Sequence, residues 1–287
     1  MREKIKFSIL EDKKKNLRES IEREKIKTDF IVTMSHELRT PLNIITNSNK
    51  LIKSKINKNQ YDKDILLEQV NLIEKNSNRL LRLVNNLIDA SKIESGLLDA
   101  SLKNENIVEV IEDTVMSSVD LAKSCGIELI FDTKEEEIIT AIDRNKIEKI
   151  ILNLISNCIK FTDFGGHICV SIKKDKEYIL IEVKDDGIGM SEELMNHIFE
   201  KFRKAKLYPS PDRASEGSGL GLYIVKGLVE KHNGTINVKS KINEGTTVTI
   251  KLPQVFLDKE NSNQNLMNIP LEYTSKIEFS DIYKKDY

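Results

Sequence analysis

The chain has 287 residues, enough for two domains of ordinary size, and its 45 Lys and Arg against 46 Asp and Glu leave a net charge of −1, so no global field draws it to nucleic acid or anionic lipid. Three cysteines, Cys125, Cys158 and Cys169, form no CxxC pair and argue against a disulfide framework or structural zinc site, which fits a reducing, cytoplasmic setting. No apolar run reaches the roughly 18–20 residues needed to cross a bilayer and the first residues lack a signal-peptide core, so the chain itself reads as soluble, without membrane contact.

Residues 5–95 read as two long helices joined by a polar break at Asn57-Lys58-Asn59-Gln60. Before residue 28, Leu10 and Leu17 keep the helical register that Ile31 continues, so an upstream signal can enter as a twist or shift of this helix; lysine runs such as Lys13-Lys14-Lys15 read as solvated faces. Ile31, Met34, Leu38, Leu42, Ile45 and Ile52 share one face, and His36 points nearly opposite it, toward solvent. A lone histidine there would be an ordinary surface residue. Its neighbours in Ser35-His36-Glu37-Leu38-Arg39-Thr40-Pro41-Leu42 add a carboxylate beside it and a hydroxyl one turn on. Pro41 cannot donate to the Glu37 carbonyl, which predicts a kink just past His36.

The second helix carries Leu66, Ile73, Leu80 and Leu87 at heptad spacing, with Val70, Ser77, Val84 and Ser91 on the companion positions. One hairpin has too little core to stand alone. Two hairpins pairing into a four-helix bundle predict a homodimer, the alternative being a hairpin packed on its own second domain.

Gly96 closes this helix, and strand and helix patterns then alternate to about residue 253. Strands are predicted at 127–132, 137–142, 167–173, 178–183, 235–239 and 246–252, and helices at 107–124, 144–160, 191–199 and 220–232. The mixture predicts an α/β sandwich with helices on one side of a largely antiparallel sheet. Asn153 and Asn157 lie one helical turn apart with Lys160 three further on, so amide oxygens and a cation share one face. Asp185-Asp186-Gly187-Ile188-Gly189 follows a strand and reads either as a tight turn or as a backbone approach to a flat ligand. Gly217-Ser218-Gly219-Leu220-Gly221-Leu222 opens a helix whose free N–H groups favour phosphate, a weak signal by itself. The polar run 259–265 predicts a linker, and Ile277, Phe279 and Tyr283 form a short alternation that reads as an edge strand or, in preference, as part of a flexible tail.

Together and in this order, these pieces resemble the sensor histidine kinases of two-component signalling over about residues 25–253. Ser35 to Leu42 is similar to the family's phosphoacceptor box, and Asn153-Leu154-Ile155-Ser156-Asn157-Cys158-Ile159-Lys160-Phe161-Thr162 to its asparagine box. Asp185 to Gly189 matches the first glycine box, Phe199 to Phe202 the phenylalanine box and Gly217 to Leu222 the second glycine box, while Glu244-Gly245-Thr246-Thr247 is a partial third, with Asn243 where many members carry glycine.

The resemblance implies an all-α helical hairpin forming a dimeric four-helix bundle, followed by an α/β sandwich ATP-binding domain of the Bergerat/GHKL type. The divisions it suggests are 1–27 as an N-terminal signalling helix, 28–98 for dimerisation and histidine phosphotransfer, 99–253 for ATP binding and catalysis, and 254–287 as a mostly flexible tail. It implies autophosphorylation of His36 from ATP and transfer to an aspartate on a response regulator receiver domain. Glu37 would orient or accept the imidazole proton, and Thr40 would position water for dephosphorylating the regulator. Asn157, assisted by Asn153, would hold Mg2+, and Lys160 would neutralise phosphate charge. Asp185 would accept from the adenine amino group. Phe161, Gly187, Gly189, Gly217, Gly219, Leu220, Gly221, Leu222 and Thr246 would complete the nucleotide site, under a lid at 203–216 with Arg203, Lys204 and Arg213. Input would come from an upstream sensor, membrane-bound or otherwise, or from a separate partner. The rival readings are a GHKL-type ATPase acting as a conformational clamp without histidine phosphotransfer, and a degenerate kinase serving as scaffold or phosphatase.

Overall fold

The computed structural model describes residues 2–58, 62–201, 219–258 and 270–282, and over 2–30 mostly the backbone alone. Helix α1 (Arg2–Asn57) and helix α2 (Lys63–Glu94) form the predicted hairpin. Asp62 starts α2, its side chain accepting from the N–H groups of Asp64 at 3.1 Å and Ile65 at 3.2 Å, which satisfies two of the donors every helix start leaves open. Helix α1 continues on both sides of Pro41, which is buried within the hairpin. Packing against α2 outweighs the one hydrogen bond that Pro41 removes.

Strand β1 (Lys103–Asn106), not foreseen in the sequence, pairs antiparallel with β3 (Ile139–Ile142). Its polar Lys-Asn-Glu-Asn sequence carries no strand propensity, and the pairing comes from the fold. Between them lie α3 (Ile107–Ser124) and β2 (Glu128–Thr133). Asn106 serves both elements, accepting from Val108 N–H at 3.2 Å as the α3 cap and from Ile138 N–H at 3.1 Å. Helix α4 (Arg144–Phe161) is followed by β4 (His167–Asp175), β5 (Tyr178–Asp185), α5 (Glu192–Met195), α6 (Gly221–Lys231), β6 (Thr235–Lys241) and β7 (Gly245–Pro253). The helix expected over 191–199 is thus a single turn.

The main sheet has the order β2-β4-β5-β7-β6, antiparallel except for the parallel β2-β4 pair. Its inward side chains, Ile168, Val170, Ile172, Ile179, Ile181, Val183, Val248 and Ile250, meet α3, α4 and α6 in one apolar core. Helix α4 is central: Ile147, Ile150, Ile151, Leu152, Leu154 and Ile155 are each at most 1% exposed, so polar residues on this helix stand out against an almost closed environment.

The hairpin does pack on its own second domain. Ile93 of α2 sits where a Cβ on Gly227 of α6 would lie 2.6 Å from its Cδ1, Asp89 meets Lys149 at 2.6 Å and Glu94 meets Lys201 at 2.5 Å. Ile31, Val32, Leu42, Leu51, Val70, Val84 and Leu87 remain exposed along the hairpin.

The end of the chain departs from the flexible-tail expectation. Leu271–Glu278 forms helix α7, and Ile277, Phe279 and Ile282 are buried where α7 and the residues after it meet α2, α3 and α4. A segment this short cannot build a core, but it fills a groove lined by three helices that no local pattern announces. Tyr283, the linker 259–265 and the lid 203–216 lie outside the described residues.

Candidate functional site

His36 is exposed on α1, opposite the buried Met34, Glu37 and Pro41. The Thr40 hydroxyl donates to the His36 carbonyl at 3.2 Å, a back-bond along the same face. Glu37, 9% exposed, turns into the hairpin, with its Oε2 3.5 Å from Arg79 Nη2 of α2. The ion pair anchors the turn that carries His36 to the second helix.

The other predicted residues converge at the C-terminal half of α4. Asn153, 1% exposed, donates from Nδ2 to the Lys149 carbonyl and to Glu278 Oε2, both at 3.3 Å. Its Oδ1 lies 2.8 Å from where a Cβ on Gly221 would stand, so the second glycine-rich segment needs a glycine there to approach the asparagine. Asn157 is half-buried one turn on, and Lys160 reaches Asp281 Oδ2 at 2.5 Å.

Asp185, at the end of β5, is 6% exposed and accepts through Oδ1 from the N–H of Gly187 at 3.0 Å and of Thr246 at 3.2 Å. Burial raises its carboxyl above the ordinary range, the two backbone donors and the Cys158 thiol pulling the other way. Cys158, fully buried, is itself pushed well up by burial and by the adjacent Asp185, so it serves as a thiol donor rather than a nucleophile. Asp186 points away: its carboxylate takes the His167 N–H at 2.7 Å and faces His167 Nδ1 at 2.8 Å.

Backbone contacts hold the loop after Asp185 against α4 and β7. Ile188 N–H donates to the Phe161 carbonyl at 3.0 Å, and a Cβ on Gly187 would stand 2.3 Å from that same oxygen. Gly189 at φ 63° and Gly245 at φ 87° combine a left-handed backbone with Cβ positions 1.9 and 2.0 Å from the Lys241 and Asp185 carbonyls, so neither place admits a side chain. Asn243 takes φ 63° and donates its N–H to Ile188 O at 2.8 Å. Asparagine is the residue that best tolerates this conformation after glycine, which accounts for its place in the third box.

Helix α6 begins at Gly221 with no side chain capping its N-terminus, and Gly219 at φ 68° turns the chain into it. Leu220 is fully buried and Leu222 packs against the core, so these two residues anchor the segment, with Gly219 and Gly221 half-buried beside them. Gly217 and Phe202 lie outside the described residues. The fold therefore brings Asn153 to Gly221, Phe161 to Gly187, and Cys158, Asp185 and Thr246 together, and leaves His36 on the separate hairpin.

Sequence reasoning missed Cys158 as a partner of Asp185, and Arg82, Glu278 and Asp281 altogether. Arg82, 7% exposed on α2, donates from Nε to Glu278 at 2.9 Å and pairs with Asp281. Its i±3 and i±4 neighbours on α2 are Asn78, Arg79, Asn85 and Asn86, so no local pattern marks Arg82 as the partner of a buried acidic pair.

Residues 26–96 match the family model of the His Kinase A (phospho-acceptor) domain, and residues 142–255 that of the histidine kinase-, DNA gyrase B-, and HSP90-like ATPase. The chain is 34% identical over 262 residues to sensor protein GacS of Pseudomonas syringae pv. syringae, covering 88% of this chain and 28% of that protein. It is 33% identical over 253 residues to histidine kinase P4 of Formosa agariphila, covering 87% of this chain and 18% of that protein. The chain thus spans less than a third of these relatives. Its fold is shared with histidine kinase ThkA, solved in complex with response regulator protein TrrA, at a TM-score of 0.57 and 23% identity over 82% of this chain and 64% of that one. Among the described residues no helix is long and apolar enough to cross a membrane. A phosphoacceptor domain followed by an ATPase domain, in the order the boxes predict, places the chain in the sensor histidine kinase family of two-component signalling.

Proposed function

We propose that this chain is a kinase core that phosphorylates itself on His36 from ATP and passes the phosphoryl group to an aspartate of a response regulator receiver domain, working as a homodimer. The observation that carries the reading is the pairing, within one chain, of an exposed histidine in a phosphoacceptor domain with a second domain in which two glycine-rich segments close on helix α4 and a third closes on Asp185. A clamp-type ATPase would leave the Ser35 to Leu42 segment without a purpose. The homodimer is supported by the apolar side chains left exposed along the hairpin, which a bundle would cover. The division at 1–27, 28–98 and 99–253 belongs to the same reading, with 270–282 returning to the second domain.

The residues suit a nucleotide. Asp185 presents a buried carboxylate whose Oδ1 is fixed by two backbone donors, a geometry suited to accepting from an exocyclic amino group. Asn157 and Asn153 offer amide oxygens, which suit a hard cation shared with phosphates, and Lys160 adds a point charge. When bound, magnesium would supply charge neutralisation across the phosphates. Attack by an imidazole nitrogen of His36 on the γ-phosphorus forms an N–P bond, breaks the bond to the β-phosphate oxygen and releases ADP. Glu37 turns away from His36 toward Arg79, so it would have to leave that ion pair to orient the ring or accept its proton. Thr40 lies on the same face as His36 and would position water for removing the phosphoryl group from the regulator.

The test is incubation with γ-labelled ATP and magnesium. Label that acid removes and alkali spares, and that His36→Gln abolishes, is expected; label surviving acid, or persisting in that variant, would overturn the reading.

A further inference from the structure

The carboxylates of Glu278 and Asp281 stand against the side chains that the proposed nucleotide site assigns to phosphate and cation. Asn153 Nδ2 donates to Glu278 Oε2 at 3.3 Å, Lys149 Nζ lies 3.8 Å from Glu278 Oε1, and Lys160 Nζ is 2.5 Å from Asp281 Oδ2. Both acids are buried, with side chains 4% and 8% exposed. Anions removed from water persist only where cations and donors answer them, and here Arg82, Lys149 and Lys160 do so.

The same segment is anchored by apolar contacts and by the hairpin. Ile277, Phe279 and Ile282 are 7–8% exposed, and the last two join the main core. From α2, Arg82 binds both carboxylates and Lys75 Nζ donates to the Ile282 carbonyl at 2.9 Å. Residues 271–282 therefore form a strap with one side on the asparagine-bearing helix α4 and the other on the hairpin that carries His36.

From this juxtaposition we infer that residues 271–282 are an internal competitor for the phosphate side of the nucleotide site, so that docking of the strap and binding of the magnesium–nucleotide oppose each other. The inference rests on the nucleotide reading of Asn153, Asn157 and Lys160. Phosphate oxygens and carboxylate oxygens make the same demand on Lys160, and Glu278, by taking the Nδ2 donor of Asn153, fixes the orientation of the amide whose oxygen a cation shared with phosphate would need. Because Arg82 and Lys75 belong to α2, release of the strap also removes ties between the ATPase domain and the hairpin, which the domain must shed to carry its nucleotide to His36. A ligand that binds only the undocked form loses affinity in proportion to the docked fraction.

The experiment measures Mg-ADP affinity by calorimetry in the full chain and in its Glu278→Gln/Asp281→Asn variant, with hydrogen exchange of 271–282 in the wild-type chain with and without saturating Mg-ADP. Expected are an affinity at least fivefold tighter in the variant and loss of amide protection in 271–282 when nucleotide binds. The exchange measurement needs no variant and stands if the double substitution fails to fold. Equal affinities within twofold together with unchanged protection would overturn the strap and leave the nucleotide site intact. Absence of Mg-ADP binding by both proteins up to millimolar concentration would overturn the nucleotide reading and the strap with it.

Discussion

Replacing Asp185 with asparagine separates recognition from folding at the end of the site proposed to hold the base. The asparagine amide oxygen can keep the N–H bonds from Gly187 and Thr246, at 3.0 and 3.2 Å in the wild-type chain, while the second oxygen becomes an NH2 group. An amino donor on a base then meets a donor instead of an anionic acceptor. A hydrogen bond to a charged group is worth about 1.5–3 kcal/mol, which corresponds to roughly a 10- to 150-fold loss of ADP affinity. Stability moves the other way. Burial raises the Asp185 carboxyl, so the folded state gives up this proton at higher pH than the unfolded chain does. Stability from this group is full below the unfolded pKa and is lost as pH rises through the folded one, so at neutral pH the charge is a burden that asparagine removes. Calorimetry with Mg-ADP and thermal melts at pH 7 should therefore show weakened binding with a melting temperature equal to or above wild type. Affinity within threefold of wild type, or a melt lowered by more than about 5 °C, would refute the assignment and make Asp185 a structural carboxylate.

Gly245→Ala places a Cβ 2.0 Å from the Asp185 carbonyl at φ 87°, and a loss of at least about 2 kcal/mol, or roughly 4–8 °C in a thermal melt, is expected, whereas Asn243→Gly should stay within about 1 kcal/mol. His232, 6% exposed, takes the Asp143 N–H on Nε2 at 3.1 Å and donates from Nδ1 to Leu228 O at 2.8 Å, and burial lowers its pKa, with Asp143 raising and Lys146 lowering it further. Its stabilising share is present above the ordinary histidine pKa and lost as pH falls through the lowered value, so melts between pH 7 and pH 5 should slope downward, and the slope should shrink in His232→Phe. Burial would raise Asp281, but Arg82 and Lys160 bring it down to about 2. Its share of strap docking is therefore present above the ordinary carboxylate range and lost only as pH falls from there toward about 2, a dependence that Asp281→Asn should remove from the exchange rates of 271–282. Mixing an Asn157→Ala chain with a His36→Gln chain should restore labelling of the intact histidine if one subunit phosphorylates its mate, and should leave it unlabelled if each phosphorylates itself.

The two-domain plan, the helical hairpin, the alternating second domain and the segments around His36, Asn153, Asp185 and Gly219 follow from local pattern alone, because apolar periodicity and glycine placement are properties of consecutive residues. Which of two adjacent aspartates turns inward was readable from the match of Asp185 to Gly189 with the family's first glycine box. Its partners Cys158 and Thr246 were not, since they come from a helix and a strand distant in sequence. Strand β1 escaped because four polar residues gain strand structure only from β3, and Glu37 meets Arg79 only once the hairpin has closed. Most of all, the chain end reads as polar and short, and nothing local tells that Ile277, Phe279 and Ile282 have a groove to fill. Long-range pairing decides that Glu278 and Asp281 rest on Arg82, Asn153 and Lys160, because buried charge is held only where the tertiary fold delivers its counter-charge.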